Sequence, residues 1–209
     1  MEVIQYKDNE KIASDKAAEV LRAGGVILYP TDTLYGLGAD AFSNAAVDKI
    51  YAIKGRDPNK PIHAVFADMQ MVEEYAEVTD VARKLADKFL PGALTLILKK
   101  KSGVDRGIAR GIETIGVRIP DNSFCIETAK AFGKPYTTTS ANVAGEATGL
   151  SIDEILFQLG GQKNSIDLVL DAGTLPQRAA STVVFLANEA PVFLRIGAIP
   201  ANDIENALI

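Results

Sequence analysis

The chain has 209 residues, 47% of them hydrophobic, with 22 basic and 27 acidic side chains and a net charge of −5. A chain this long buries a core without disulfides or a structural metal. Its lone cysteine, Cys125, and lone histidine, His63, exclude an intramolecular disulfide and a His/Cys zinc cluster, and any Ser-His-Asp or Cys-His site would need His63 as its base.

The acidic balance argues against a protein whose main work is gripping a nucleic-acid backbone, although a local cationic cleft on an acidic body is compatible with it. Residues 1–16 are polar and lack the apolar stretch of a secretion signal. Apolar runs elsewhere are strand-sized, so no membrane span is predicted. The expected setting is soluble, reduced and cytoplasmic.

Helical and strand signals alternate along the chain. A helix is predicted from Ser14 to Arg22, stopped by Gly24-Gly25, and Val26–Tyr29 reads as a buried strand. Residues 30–38, PTDTLYGLG, read as a loop of hydroxyls and glycines. Asn44–Lys54 has helical spacing at Val47, Ile50, Tyr51 and Ile53, broken by Pro58 and Pro61. His63–Phe66 reads as a strand, and 68–76 and 79–89 as helices ended by Pro91-Gly92. Leu94–Leu98 is a predicted strand, and the basic, glycine-containing 99–110 a mobile loop, with 102–110 a candidate lid. Strands at 114–118 and 135–139 flank a helix at 122–132 capped by Asn122. Ser151 caps a helix to Leu159, strands follow at 168–170, 182–186 and 192–195, and a short helix closes at 202–208. No repeat or linker divides the chain, so one domain over 1–209 is expected. The predicted class is α/β in the mixed α+β sense, an open twisted sheet flanked by helices. The three strands between 168 and 195 have no helix between them, which favours some antiparallel pairing.

Four polar segments follow apolar elements, where ligands of mixed sheets bind. Thr31-Asp32-Thr33 before Tyr35-Gly36-Leu37-Gly38 suits a small polar ligand, or a self-bonded turn. It fits neither a P-loop nor a dinucleotide fingerprint. Lys54-Gly-Arg56 with Lys60 places three cations in seven residues, which suits a polyphosphate or simply a helix C-terminus. Thr137, Thr138, Thr139, Ser140 and Asn142 combine strand-forming threonines with hydroxyl and amide groups that can face a ligand. Ser181 opens a strand, and Arg195 closes the last one beside Gly197, as a phosphate contact or a solvated side chain.

Taken in order, PTDTLYGLG (30–38), KGR (54–56), PGALT (91–95), GVRIP (116–120), SAN (140–142), STVV (181–184) and RIG (195–197) resemble the YrdC-type domain over about residues 15–198. The paired Lys-x-Arg and Ser-x-Asn motifs are that family's hallmark. The resemblance implies a fold like that of dihydroxybutanone phosphate synthase, with a large cationic cleft. It implies synthesis of L-threonylcarbamoyl-AMP from ATP, L-threonine and bicarbonate, for N6-threonylcarbamoyl modification of adenosine 37 in tRNA. A separate transferase would carry the product to tRNA, with only weak or indirect tRNA contact by this chain. Carried over by motif, Arg56, Lys60, Ser140 and Arg195 face ATP. Thr33, Arg118, Asn142 and Ser181 hold threonine, with Arg118 on its carboxylate. Lys54 and Arg56 are the catalytic cations, and Thr31, His63 and Thr138 line the site. Mg²⁺ is expected through phosphate oxygens and water, with no protein cage.

Two positions depart from the pattern. Residue 60 is Lys where many relatives have Asn, and the family's histidine aligns near Val65, two places after His63. Residues 63 and 65 share a face of a strand, so His63 can still line the site. Cys125, between Phe124 and Ile126, reads as packing. The rival readings are an RNA-binding module, carbamoyl-phosphate chemistry as in hydrogenase maturation proteins, and a regulatory protein that binds ATP without turnover.

Overall fold

The computed structural model describes residues 1–6, 10–188 and 190–208; Lys7–Asn9 of the polar N-terminal run, Glu189 and Ile209 lie outside them. In chain order the elements are β1 (Glu2–Gln5), α1 (Glu10–Arg22), β2 (Ile27–Pro30), β3 (Tyr35–Gly38), α2 (Asn44–Lys54), β4 (His63–Val65), α3 (Met69–Tyr75), α4 (Asp80–Phe89) and β5 (Leu94–Lys99). The second half follows with β6 (Thr114–Arg118), α5 (Ser123–Phe132), β7 (Tyr136–Ser140), α6 (Ile152–Leu159), β8 (Leu168–Asp171), β9 (Thr182–Phe185), β10 (Val192–Arg195) and α7 (Ala201–Leu208).

The strands form one mixed sheet in the order β1-β8-β2-β3-β7-β4-β6-β5-β9-β10. β1–β8, β8–β2, β4–β6 and β5–β9 are parallel. β2–β3, β3–β7, β7–β4, β6–β5 and β9–β10 are antiparallel. The three late strands are therefore split. β8 joins one half of the sheet and β9–β10 the other, so residues 172–181 cross between them. Of these three, only β9 and β10 pair with each other.

The alternation of side chains gives the sheet two unlike faces. On one face Leu28, Leu37, Ala64, Leu94, Leu96, Leu98, Val117 and Val184 pack under Val47, Ile50 and Ile53 of α2, Val72 of α3, Leu85 of α4, Ile155 of α6 and Ile204 of α7. On the other, α1 and α5 cover Tyr29, Val65, Tyr136, Leu168 and Leu170. Because only two helices serve that second face, its β6–β5–β9 portion carries no helix.

Local chemistry fixes the elements that frame this opening. Ser43 caps α2 through its hydroxyl and the Ala46 N–H, and Gly55, at φ +57°, ends it in the left-handed turn that frees Arg56. Tyr35–Gly38, expected as a loop, is a strand whose glycines let Tyr29 lie across it: a Cβ at Gly38 would come within 3.0 Å of the Tyr29 ring. β1, for which the sequence carries no expectation, is an edge strand on β8.

The stretch expected to be mobile is anchored. Ile108 and Ala109 are buried, the Gly107 N–H donates to Asn44 Oδ1 at 2.6 Å, and Arg110 pairs with Asp48 at 2.8 Å. A Cβ at Gly107 would strike the Ala41 carbonyl at 2.0 Å, so the segment is seated closely on the start of α2. Its charge and glycine content are those of a turn that is docked through residues 107–110.

Candidate active site

The uncovered part of the second face holds a cavity. Its wall includes Thr31 and Thr33 from the β2–β3 loop, Arg56 and Pro61 after α2, His63 on β4, Thr95 on β5 and Arg118 on β6. Thr138, Thr139 and Ser140 on β7, Ala180 and Ser181 before β9, and Arg195 on β10 also line it. Segments separated by up to 164 residues in sequence thus converge on one space, with Arg118, Ser140 and Arg195 at the C-terminal ends of their strands and His63, Thr95 and Ser181 at or just before the N-terminal ends of theirs.

Three guanidiniums enter this space, each held differently. Arg118 is almost fully buried; its Nη2 donates to Asp32 Oδ1 and to Thr33 Oγ1 at 3.0 Å, and its Nε has no partner among the described residues. Asp32 is the opposing charge, and its other oxygen accepts the Asp121 N–H at 3.2 Å. Arg195 is tied to Ser181, with Nε on the carbonyl at 2.9 Å and Nη2 on the hydroxyl at 3.0 Å. Arg56 folds the 56–61 loop around itself, donating to the Lys60 and Pro61 carbonyls at 3.1 Å each. An isolated cluster of three like charges is costly unless an anion joins it.

His63 sits among these cations. Burial, followed by the repulsion of Arg195, Arg56 and Arg118, pulls its pKa down to about 4, so the imidazole is neutral at physiological pH. It fits because β6 has glycine opposite it: a Cβ on Gly116 would come within 2.3 Å of the His63 Cδ2.

The hallmark lysine faces inward. Lys54, 1% exposed, donates from Nζ to the Asn142 carbonyl and the Asn142 Oδ1, both at 2.9 Å, and to the Ser140 carbonyl. Burial and then Arg56 lower its pKa to about 7, while three acceptors match the three N–H groups of the charged form. Asn142 Oδ1 also accepts the Ser140 hydroxyl at 2.5 Å, and its Nδ2 donates to the Val143 and Glu146 carbonyls. Lys54 and Asn142 therefore form a buried clamp behind Ser140 and do not line the cavity.

Of the residues expected from the sequence, Thr31, Thr33, Arg56, His63, Arg118, Thr138, Ser140, Ser181 and Arg195 share the cavity wall. Lys60 lies exposed on the neighbouring loop, outside the lining. The wall also contains Thr95, which sequence reasoning treated as part of a strand. The available signal was a hydroxyl at the position alternating with Leu94, Leu96 and Leu98. Among the described residues no group of His, Cys, Asp and Glu side chains forms a metal-binding cluster, and no helix is long and apolar enough to cross a membrane.

Comparison with known proteins identifies the family and the fold. The Sua5/YciO/YrdC family model, described as "Telomere recombination", matches residues 19–197. A putative threonylcarbamoyl-AMP synthase of Methanocaldococcus jannaschii is 38% identical over 197 residues, covering 94% of this chain and 91% of that protein. The threonylcarbamoyl-AMP synthase of Pyrococcus abyssi is 34% identical over 92% of this chain, which spans 56% of that protein's length. The crystal structure of P. abyssi Sua5 complexed with L-threonine superposes with a TM-score of 0.88 at 32% identity, over 99% of this chain and 60% of that one. The chain belongs to the Sua5/YciO/YrdC family.

Proposed function

We propose that this protein is an L-threonylcarbamoyl-AMP synthase, a nucleotidyl-transferring enzyme that condenses L-threonine, bicarbonate or CO₂, and ATP. The observation that carries the proposal is the convergence of Arg56, Arg118 and Arg195 with the hydroxyls of Thr33, Ser140 and Ser181 on one cavity. The 38% identity to the M. jannaschii protein supports it.

The reaction asks for the kind of environment found here. The threonine amine adds to CO₂ and loses a proton, giving an N-carboxylate. One oxygen of that carboxylate attacks the α-phosphorus of ATP, the bond to the β-phosphate oxygen breaks, and pyrophosphate leaves. Both partners in the transfer, the N-carboxylate and ATP, are anionic, so the protein's task is charge neutralisation and alignment more than supply of a side-chain nucleophile.

Arg118, with Thr33 beside it, takes the threonine carboxylate, and Ser181 completes that end. Arg56, Ser140 and Arg195 take the nucleotide phosphates, and Lys60 adds charge from the rim. Lys54 and Asn142 act as positioning residues that fix Ser140. Neutral His63 offers a hydrogen-bonding surface without adding a fourth cation. The nearby carboxylate, Asp32, is engaged by Arg118, so Mg²⁺ would enter on the phosphate oxygens of ATP with water as its remaining ligands. The product would pass to a separate transferase acting on tRNA.

The test is pyrophosphate release from Mg²⁺-ATP with and without L-threonine and bicarbonate, with the adenylate identified by mass. Release that needs both supports the reading. ATP binding without such release would overturn it in favour of a regulatory or carbamoyl-phosphate role.

A further inference from the structure

We infer that Thr95 is a positioning residue, which fixes the Ser181 hydroxyl as a hydrogen-bond donor toward an acceptor oxygen of the bound substrate. The inference rests on the cavity being the substrate site, as proposed above.

The argument is a count of protons and lone pairs. Ser181 Oγ lies 3.0 Å from Arg195 Nη2 and 2.9 Å from Thr95 Oγ1. An arginine only donates, so one Ser181 lone pair is taken. Thr95 is 0% exposed, and Ser181 Oγ is the hydrogen-bond partner of its hydroxyl. If Ser181 donated to Thr95, the Thr95 proton, on a side chain that borders the cavity but has no exposed surface of its own, would be left without an acceptor among the described residues, the costly arrangement for a hydroxyl. The favoured arrangement has Thr95 donating to Ser181. Both Ser181 lone pairs are then occupied, and its own proton has one direction left, into the cavity that Ser181 lines.

Ser181 is thereby committed as a donor. It suits a carboxylate, carbamate or phosphate oxygen and disfavours an ammonium group. Strand geometry supports the assignment. Thr95 pairs with Val183 on β9, two residues after Ser181, and it points away from Leu94, Leu96 and Leu98, which face the helices. A hydroxyl on this strand therefore reaches the site without disturbing the core.

The test measures KM for threonine and for ATP, with kcat, in the full-length wild type and in Thr95→Val, Thr95→Ser, Ser181→Ala and Thr95→Val/Ser181→Ala. Valine keeps the shape of threonine and removes the hydroxyl; serine keeps the hydroxyl. Thr95→Val should raise one KM by about 3- to 10-fold, the worth of one hydrogen bond. Thr95→Ser should restore wild-type behaviour, and the double variant should be no worse than Ser181→Ala. A rise confined to threonine identifies its carboxylate or carbamate oxygen as the acceptor, and a rise confined to ATP a phosphate oxygen. Unchanged KM values in Thr95→Val, equal loss in the valine and serine variants, or additive losses would overturn the inference while leaving the synthase reading intact. A wild-type protein with no threonine-dependent pyrophosphate release would overturn both.

Discussion

The two faces of the sheet are made from the same strands and do opposite things. On β5, Leu94, Leu96 and Leu98 pack under the helices, while Thr95 meets Ser181 in the cavity wall. On β6, Ile115 and Val117 go to the core, while Arg118 goes to the site and Gly116 makes room beside it for His63. One face is tied together by non-directional apolar burial, which tolerates volume-conserving change. The uncovered part of the other, beyond the apolar cluster under α1 and α5, is tied together by directional bonds that end at a few atoms, which do not. Substitutions on the two faces should therefore fail in different ways.

The largest effect is expected at Arg118. Arg118→Ala removes the guanidinium and leaves Asp32 with its charge partner gone. Loss of charge-assisted bonds should lower kcat/KM for threonine by at least about 100-fold. Arg118→Lys keeps the charge but lacks the planar fork that reaches Asp32 and Thr33 together. It should recover thermal stability more than threonine KM. If Arg118→Lys matched the wild type in both, the fork geometry would be irrelevant and the contrast between the faces weakened.

Next comes Lys54, the position where the two faces meet. It closes core helix α2, and its ammonium bonds to Ser140 in the wall of the site and to Asn142 behind it. Lys54→Met fills the same space and removes a donor from three acceptors; Asn142 Oδ1 keeps the Ser140 hydroxyl and the Ser140 carbonyl keeps the Asn142 N–H, but the Asn142 carbonyl loses its donor, at a cost of about 1–3 kcal/mol. A drop of about that size in chemical denaturation should accompany loss of turnover. Stability equal to the wild type would show that the clamp contributes nothing to the fold.

Leu96→Ala sharpens the comparison from the other side. Leu96 is fully buried between β5 and the helices, so a cavity there should cost about 2–5 kcal/mol. The fraction that remains folded should show wild-type KM values at low temperature. A raised threonine KM with unchanged stability would mean that the core face reaches the site in a way the packing does not suggest.

These contrasts also explain what the sequence could reveal. Core periodicity was readable: the spacing of Val47, Ile50 and Ile53 gave α2 with its observed limits, and the alternation around Leu94–Leu98 gave β5. Tyr35–Gly38 was hidden because two of its four residues are glycine, whose need arises only when Tyr29 lies across them. Residues 102–110 carried the composition of a mobile loop, and nothing local reveals that Ile108 docks beneath α2. In the site, Arg56 and Arg195 stood out as cations near glycines, and Arg118 was implied by the resemblance carried by GVRIP. Lys54 stood out too, but its inward orientation depends on carbonyls 86 and 88 residues away. A sequence identifies which residues carry charge; which way a charge points is decided by acceptors that only the fold assembles.

The smallest expected effect isolates the electrostatics of the open face. His63 is neutral in the folded protein, with a pKa near 4, whereas in the unfolded chain it titrates near its ordinary 6.5. Between those values the unfolded state binds the proton and the folded state does not, so stability falls as pH drops from about 6.5 toward about 4. For a ring partly open to the cavity, the loss between pH 7 and pH 5 should be about 1 kcal/mol. His63→Gln removes the titration and keeps a neutral hydrogen-bonding side chain, so the difference between variant and wild type should shrink or reverse as the pH falls, while the carboxylates contribute equally to both. If the two stability curves run parallel from pH 7 to pH 5, neither burial nor the three arginines depress His63, and the cavity is better solvated than its lining implies. A curve that flattens in the variant would instead show that burial first, and the arginines after it, hold the imidazole neutral, so that it adds no fourth cation to the cavity before an anion arrives.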